Sequence, residues 1–160
     1  MTNDEYISAV KRNSNRLYLI ALSYLQNHYD AEDVMQDTLL KLWKTNKVFN
    51  DNEHIDKWLT ITCVHKCKDH FRLPFVKHSV SLDEAKELYT FDTDVDFDVF
   101  RAVATLPPKE RLAVHLFYYE DMKIDDIAKA TNTKSSTVKS RLHRARLQLK
   151  SILGDEWINE

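Results

Sequence analysis

Glycine is almost absent from this 160-residue chain: Gly154 is the single one, beside three prolines, Pro74, Pro107 and Pro108. That scarcity excludes collagen-like repeats. It also argues against hairpin-rich sheets and Gly-loop phosphate cradles, which need residues that adopt φ > 0 at low cost. Two cysteines, Cys63 and Cys67, do not make a disulfide framework, and one helical turn is a poor place for a bridge. They fit a reduced, cytoplasmic compartment. No apolar run approaches the ~18 residues of a membrane span, and the polar start MTNDEY does not read as a signal peptide. What remains is 43% hydrophobic and 30% charged residues, the make-up of one ordinary domain or two small ones built from helices. The expected fold class is all-α.

The formal net charge of -2 conceals an asymmetry. Residues 1–73 balance, with 10 Lys/Arg against 10 Asp/Glu, whereas residues 74–106 carry 3 against 7. Residues 107–160 carry 10 against 8, and the stretch from Lys129 to Lys150 holds seven bases and no acid. The cationic field is therefore local.

Apolar spacing predicts a first helix from Tyr6 to Leu25, with Ile7, Val10, Leu17, Ile20, Ala21 and Tyr24 on one face. Asp30 suits the N-cap of a second helix ending near Lys47, and Asp56 that of a third ending near Phe71. Pro74 stops the third helix. The acidic stretch Asp83–Asp98 reads as linker plus a short helix, and Pro108 suits a first helical position. Two small helical domains, 1–73 and 107–160, are thus expected, joined by an acidic linker over 74–106.

The second lobe contains a helix-turn-helix pattern. Ile124, Ile127 and Ala128 face inward from a short helix, Thr131-Asn132-Thr133 makes the turn, and Ser135 or Ser136 caps the next helix. There Val138, Leu142, Ala145, Leu149 and Ile152 form one buried stripe. Ser136, Ser140, His143 and Arg144 point away from it, with Lys139 and Arg146 on one flank and Thr137 and Arg141 on the other. Small hydroxyls permit close approach to a major groove, Arg144 offers two donors to a guanine edge, and flanking bases hold phosphates. A merely solvated helix face would interleave both charge signs.

In the first lobe, Val34, Met35, Leu39, Leu42 and Trp43 make the expected inner face of the second helix. Asp33, Asp37 and Lys44 lie opposite, with Gln36 at the edge. Leu40 falls inside that polar stripe, either as an ordinary exposed leucine or as an apolar knob in an acidic protein-binding surface. On the third helix Ile61, Val64, Cys67 and Phe71 are expected inside, and Trp58, Thr62, His65, Lys66, Asp69 and Arg72 outside. Trp58 either packs under the preceding loop or stacks on a base at a duplex edge.

DAEDVMQDTLLKLW (30–43), KWLTITCVHKCKDHFR (57–72) and LPPKERLAVHLFYYEDMKIDDIAKATNTKSSTVKSRLHRARLQLK (106–150) together resemble the extracytoplasmic-function (group IV) sigma factors. The first two strings are similar to that family's region two and the third to its region four. The resemblance implies a sigma region 2 helical bundle and a sigma region 4 helix-turn-helix, acting in promoter-specific initiation by RNA polymerase. By it, Asp33, Gln36 and Asp37, with Leu40 among them, engage the polymerase core. Phe49 frames a flipped minus-ten base, and Trp58 marks the upstream edge of the bubble. Thr62, His65 and Lys66 share the melting helix. Lys139, Ser140, His143 and Arg144 match the face reading the minus-thirty-five element, flanked by Ser136 and Arg146. The implied partners are RNA polymerase core, promoter DNA and an anti-sigma factor, often membrane-anchored. Three residues depart from the family pattern: His65 stands for asparagine, Thr131 for leucine and Asn132 for glycine.

Two other classes stay open. A stand-alone helix-turn-helix regulator binding operator DNA would share the second lobe but needs a dimerisation helix or receiver domain, and neither is apparent. A metal protein or enzyme could use Cys63, His65 and Cys67, but two soft ligands and one histidine do not complete a tetrahedral site, and buried cysteines are common. No catalytic pair, small-molecule substrate, cofactor or metal is expected.

Overall fold

The computed structural model describes residues 1–71 and 94–154. The chain divides into two units, Met1–Val80 and Ser81–Glu160. The expected stop at Pro74, the boundary at 73/74, Arg72 and most of the acidic stretch lie outside the described residues. Within those residues the regular structure is helical throughout, without a strand.

The first unit packs three helices against one another: α1 (Asn3–Leu25), α2 (His28–Lys44) and α3 (Asn52–Phe71). α1 begins three residues before the expected Tyr6, because Thr2 and Glu5 form a reciprocal capping box. Its C-terminal half, LYLIALSYL, is apolar nearly all round and is correspondingly buried from Leu17 to Leu25, except for half-buried Leu19. Ile7, expected inside, is 49% exposed, since Ala9 and Asn13 take the inward positions of that end.

Two caps differ from the expected ones. Asn27, not Asp30, caps α2: its side chain accepts a hydrogen bond from the Asp30 amide at 3.0 Å. Asp30 instead sits in the first turn and accepts from His70 Nε2 of α3 at 2.8 Å. Asp51, not Asp56, closes the start of α3, accepting from the His54 amide at 2.8 Å. The choice among several nearby carboxylates and amides is made by which residue has extended backbone, as Asn27 does at φ -145°.

Asp56 lies inside α3 and ties it to α1. Its carboxylate accepts from Arg12 Nε and Nη2 and from Asn13 Nδ2, while Arg16 bonds Asn13, Thr60 and the Asp56 carbonyl. Buried Asn13 is thereby satisfied.

In the second unit, α4 (Asp94–Val103), α5 (Pro108–Val114) and α6 (Ile124–Thr131) pack on α7 (Ser135–Leu153). A single π turn, His115–Tyr119, extends α5. α4 realises the short helix expected near the end of the acidic stretch, and it continues further. Phe100, Ala102, Val103 and Leu106 are buried, so the last residues before Pro107 belong to the core of this lobe. Pro108 takes the first helical position.

Burial by itself pushes the Asp56 carboxyl up. The hydrogen bonds from Arg12 and Asn13, with the charges of Arg12 and Arg16, outweigh it and hold the group below its ordinary range. A carboxyl lowered by folding contributes stability that is complete above its unfolded value and is lost as pH falls through the folded one. Asp56→Asn should therefore cost about 1–3 kcal/mol at neutral pH, and the gap from the parent should narrow below about pH 4. Urea unfolding of both proteins across that range measures it.

Candidate polymerase and nucleic-acid interfaces

On α7, Val138, Leu142, Ala145 and Leu149 are buried against the other helices of the lobe. Ile152, expected to continue the stripe, is 52% exposed in the last turn, beyond the packed stretch. The opposite face carries exposed Ser136, Lys139, Ser140, His143 and Arg144. Neither serine caps the helix: Lys134 is the N-cap residue, and Ser135 Oγ donates to Asp125 Oδ1 at 2.6 Å, fastening α7 to α6. Asn132 adopts the left-handed conformation at φ 54°, as the turn requires. Thr131 lies inside the turn, its hydroxyl donating to the Ile127 carbonyl at 2.7 Å.

Two arginines of α7 are held from beneath by α5 and its π turn. Arg144 Nε donates to Glu110 Oε1 at 3.1 Å. Arg146 is half-buried; its Nε donates to the Tyr118 hydroxyl at 2.9 Å and its guanidinium lies 5.6 Å from the Phe117 ring centre. Sequence reasoning missed both supports. They come from residues 34 and 28 positions away, and no local pattern announces them.

On α2 the buried residues are His28, Ala31, Val34, Thr38, Leu39 and Leu42, with Thr38 satisfied by the Val34 carbonyl. Trp43, expected inside, is 51% exposed; its ring packs on Tyr6 at 4.9 Å, and the Tyr6 hydroxyl donates to the Leu39 carbonyl. Met35 is half-buried. Asp33, Gln36, Asp37 and Leu40 all lie on the exposed side, Leu40 at 45%.

α3 is rotated relative to expectation. Ile55, Leu59, Cys63 and Cys67 form the buried line, with Thr60, Thr62 and Val64 at its margins, while Ile61 and Phe71 are exposed. Apolar residues ring this helix, so small Thr62 and Cys63 are enclosed in place of larger neighbours. Thr62, at 6% exposure, therefore does not share the outward face with Trp58, His65 and Asp69. His65 is exposed and Lys66 half-buried. Trp58 packs under the preceding loop: the Phe49 ring meets Trp58 edge-on at 5.5 Å, and the same Phe49 ring meets that of His54 at 5.1 Å. That loop borders a concavity of about 520 Å³ lined by Glu5, Thr45, Lys47, Phe49, Asn50 and Asp51 among others.

Both thiols are enclosed, and Cys63 Sγ donates to the Leu17 carbonyl at 3.6 Å. A hydrogen bond with Cys63, together with burial, pushes the Cys67 thiol up. Exposed His65 does not converge with them, and no group of three potential metal ligands occurs among the described residues.

Two models of one family match the chain: Sigma-70 region 2 over residues 9–73 and Sigma-70 region 4 over residues 97–149. The chain belongs to the extracytoplasmic-function group of the sigma-70 family. It is 29% identical over 150 residues to RNA polymerase sigma factor SigV of Bacillus subtilis, covering 89% of this chain and 90% of that one. It is 27% identical over 146 residues to ECF RNA polymerase sigma factor SigM of Mycobacterium tuberculosis, covering 90% and 74%. The fold resembles that of the sigma factor RpoE of Bartonella quintana, solved in complex with the anti-sigma factor NepR, with a TM-score of 0.72 at 22% identity over 95% and 98% of the two chains. A sigma factor binds RNA polymerase and directs promoter-specific initiation, and that is this chain's function. With both lobes assigned to sigma regions, the stand-alone regulator is not favoured. No described helix is long and apolar enough to cross a membrane.

The enclosed thiols should react with a thiol-specific reagent only as fast as the first unit opens, and equimolar zinc should leave the melting temperature unchanged. Rapid labelling in the folded protein, or a rise of several degrees with zinc, would contradict this burial.

Proposed function

We propose that this sigma factor docks on polymerase core through the exposed α2 face of Asp33, Gln36, Asp37 and Leu40. In this reading it opens the minus-ten element with Phe49, Trp58, His65 and Lys66. It reads the minus-thirty-five element with Ser136, Lys139, Ser140, His143 and Arg144, and Arg146 lies nearest the phosphates. The observation that carries this is the segregation on α7, where a base-rich, acid-free face stands opposite a fully buried apolar stripe. The Phe49 concavity suits a single unstacked base, and half-buried Trp58 presents a ring beside it. Burial removes Thr62 from the DNA-facing set.

The protein acts in the cytoplasm, without catalysis or cofactor of its own. An anti-sigma factor holds it inactive; the Bartonella relative of similar fold was solved with one.

Leu40→Ala and Asp37→Lys should weaken binding to polymerase core about tenfold while leaving the melting temperature within a few degrees, because both side chains are exposed. Core-binding titrations with thermal melts test this; normal binding by both variants would remove α2 from the interface. Without core, the protein should hold duplex DNA weakly and only at low salt, since residues 107–160 net only +2. Tight operator binding by the free chain at physiological salt would instead favour a stand-alone regulator.

A further inference from the structure

A carboxylate stands at the DNA-facing side of the second lobe, where a negative charge opposes phosphate binding. Glu110, in the first turn of α5, is only 13% exposed at its side chain, and its partner Arg144 is 56% exposed. With Arg144 exposed the pair itself contributes little to stability, and the position of Glu110 in the first turn of α5, where a carboxylate complements the positive end of the helix, is one reason for it to be there. The geometry supplies another. Glu110 takes the Nε–H of Arg144, the one guanidinium donor that lies outside the terminal fork. Among the described residues Nη1 and Nη2 have no hydrogen-bond or ion-pair partner, and Arg144 shares the exposed side of α7 with Ser140 and His143.

We propose that Glu110 is a positioning residue for base readout: it holds the Arg144 guanidinium so that both terminal nitrogens are presented together to the O6 and N7 of a guanine. This rests on the reading of Arg144 as a base-contacting residue. A free arginine on an exposed helix face samples many rotamers and finds the nearest phosphate as readily as a base. Fixing one of its five donors removes that freedom before DNA arrives and leaves the two-donor fork that guanine matches. The carboxylate also opposes the approach of phosphate to the same spot, which moves the contact from affinity towards specificity. Arg146, held instead by a neutral hydroxyl and two rings, has no such anionic support and keeps its attraction for phosphate.

The test is run-off transcription by polymerase core loaded with the full-length chain, on a pooled promoter library randomised across the upstream element. Arg144→Ala identifies the guanine position whose preference it abolishes. Glu110→Ala should flatten preference at that same position by roughly fivefold or more, and the double variant should be no flatter than Arg144→Ala alone. Glu110→Gln, which keeps the shape and drops the charge, should show the same loss in weaker form and serves if Glu110→Ala does not fold. A uniform rise in activity across the library on removing Glu110 would mean that the carboxylate merely repels DNA, and would overturn the proposal. So would an unchanged preference in both Glu110 variants while Arg144→Ala flattens a position. If Arg144→Ala flattens none, the base-reading role of Arg144 falls, and that of Glu110 with it.

Discussion

Val138, Leu142, Ala145 and Leu149 turn one face of α7 inward against α4, α5 and α6, and everything the second lobe offers to DNA follows from that burial. Enclosing a leucine or valine side chain stabilises by about 1.5–3 kcal/mol, several times the worth of an exposed ion pair. The stripe, and not the contacts of Arg144 or Arg146, therefore sets the rotation of the helix. Once it is set, Ser136, Ser140 and His143 have nowhere to go but outward. Asn132 and the Ser135–Asp125 bond then fix where the helix begins.

The first unit obeys the same constraint through a different helix. α1 is enclosed on nearly all sides over Leu17–Leu25, and α2 and α3 must each spend their apolar residues covering it. That requirement leaves Asp33, Gln36, Asp37 and Leu40 outside on α2, and His65 outside on α3 with Trp58 half-buried beneath the preceding loop. Polar side chains do the fastening. Asp56 joins α3 to Arg12 and Asn13 near the start of that helix, and Asp30 meets His70 near its end, so α3 is pinned to the bundle at both ends.

The chain therefore separates holding from reading. Each lobe buries one face of a helix and exposes the other, and the exposed faces differ in character. α2 offers carboxylates around a leucine, suited to a protein surface, while α7 offers bases and hydroxyls, suited to DNA. Whole-chain charge, at -2, conceals this division of labour.

By itself, the sequence determined the all-α class, the helix-turn-helix with its left-handed Asn132, the outward set on α7 and the exposed Leu40 on α2. Each rests on spacing within one helix or one turn, where neighbours in sequence are neighbours in space. The face of α3 was not legible, because apolar residues surround that helix and a one-dimensional pattern cannot say which of them the bundle will enclose. Thr62 and Ile61 exchanged places for that reason, and Trp43 left the core to lie across Tyr6. The cap at Asn27 was decided by its extended backbone, and at the starts of both α2 and α3 competing acceptors lie only a few residues away. The bonds from Asp56 to Arg12, 44 residues apart, and from Arg144 to Glu110, 34 apart, belong to tertiary structure alone. A side chain's distant partner is set by how helices pack, and no local periodicity encodes that.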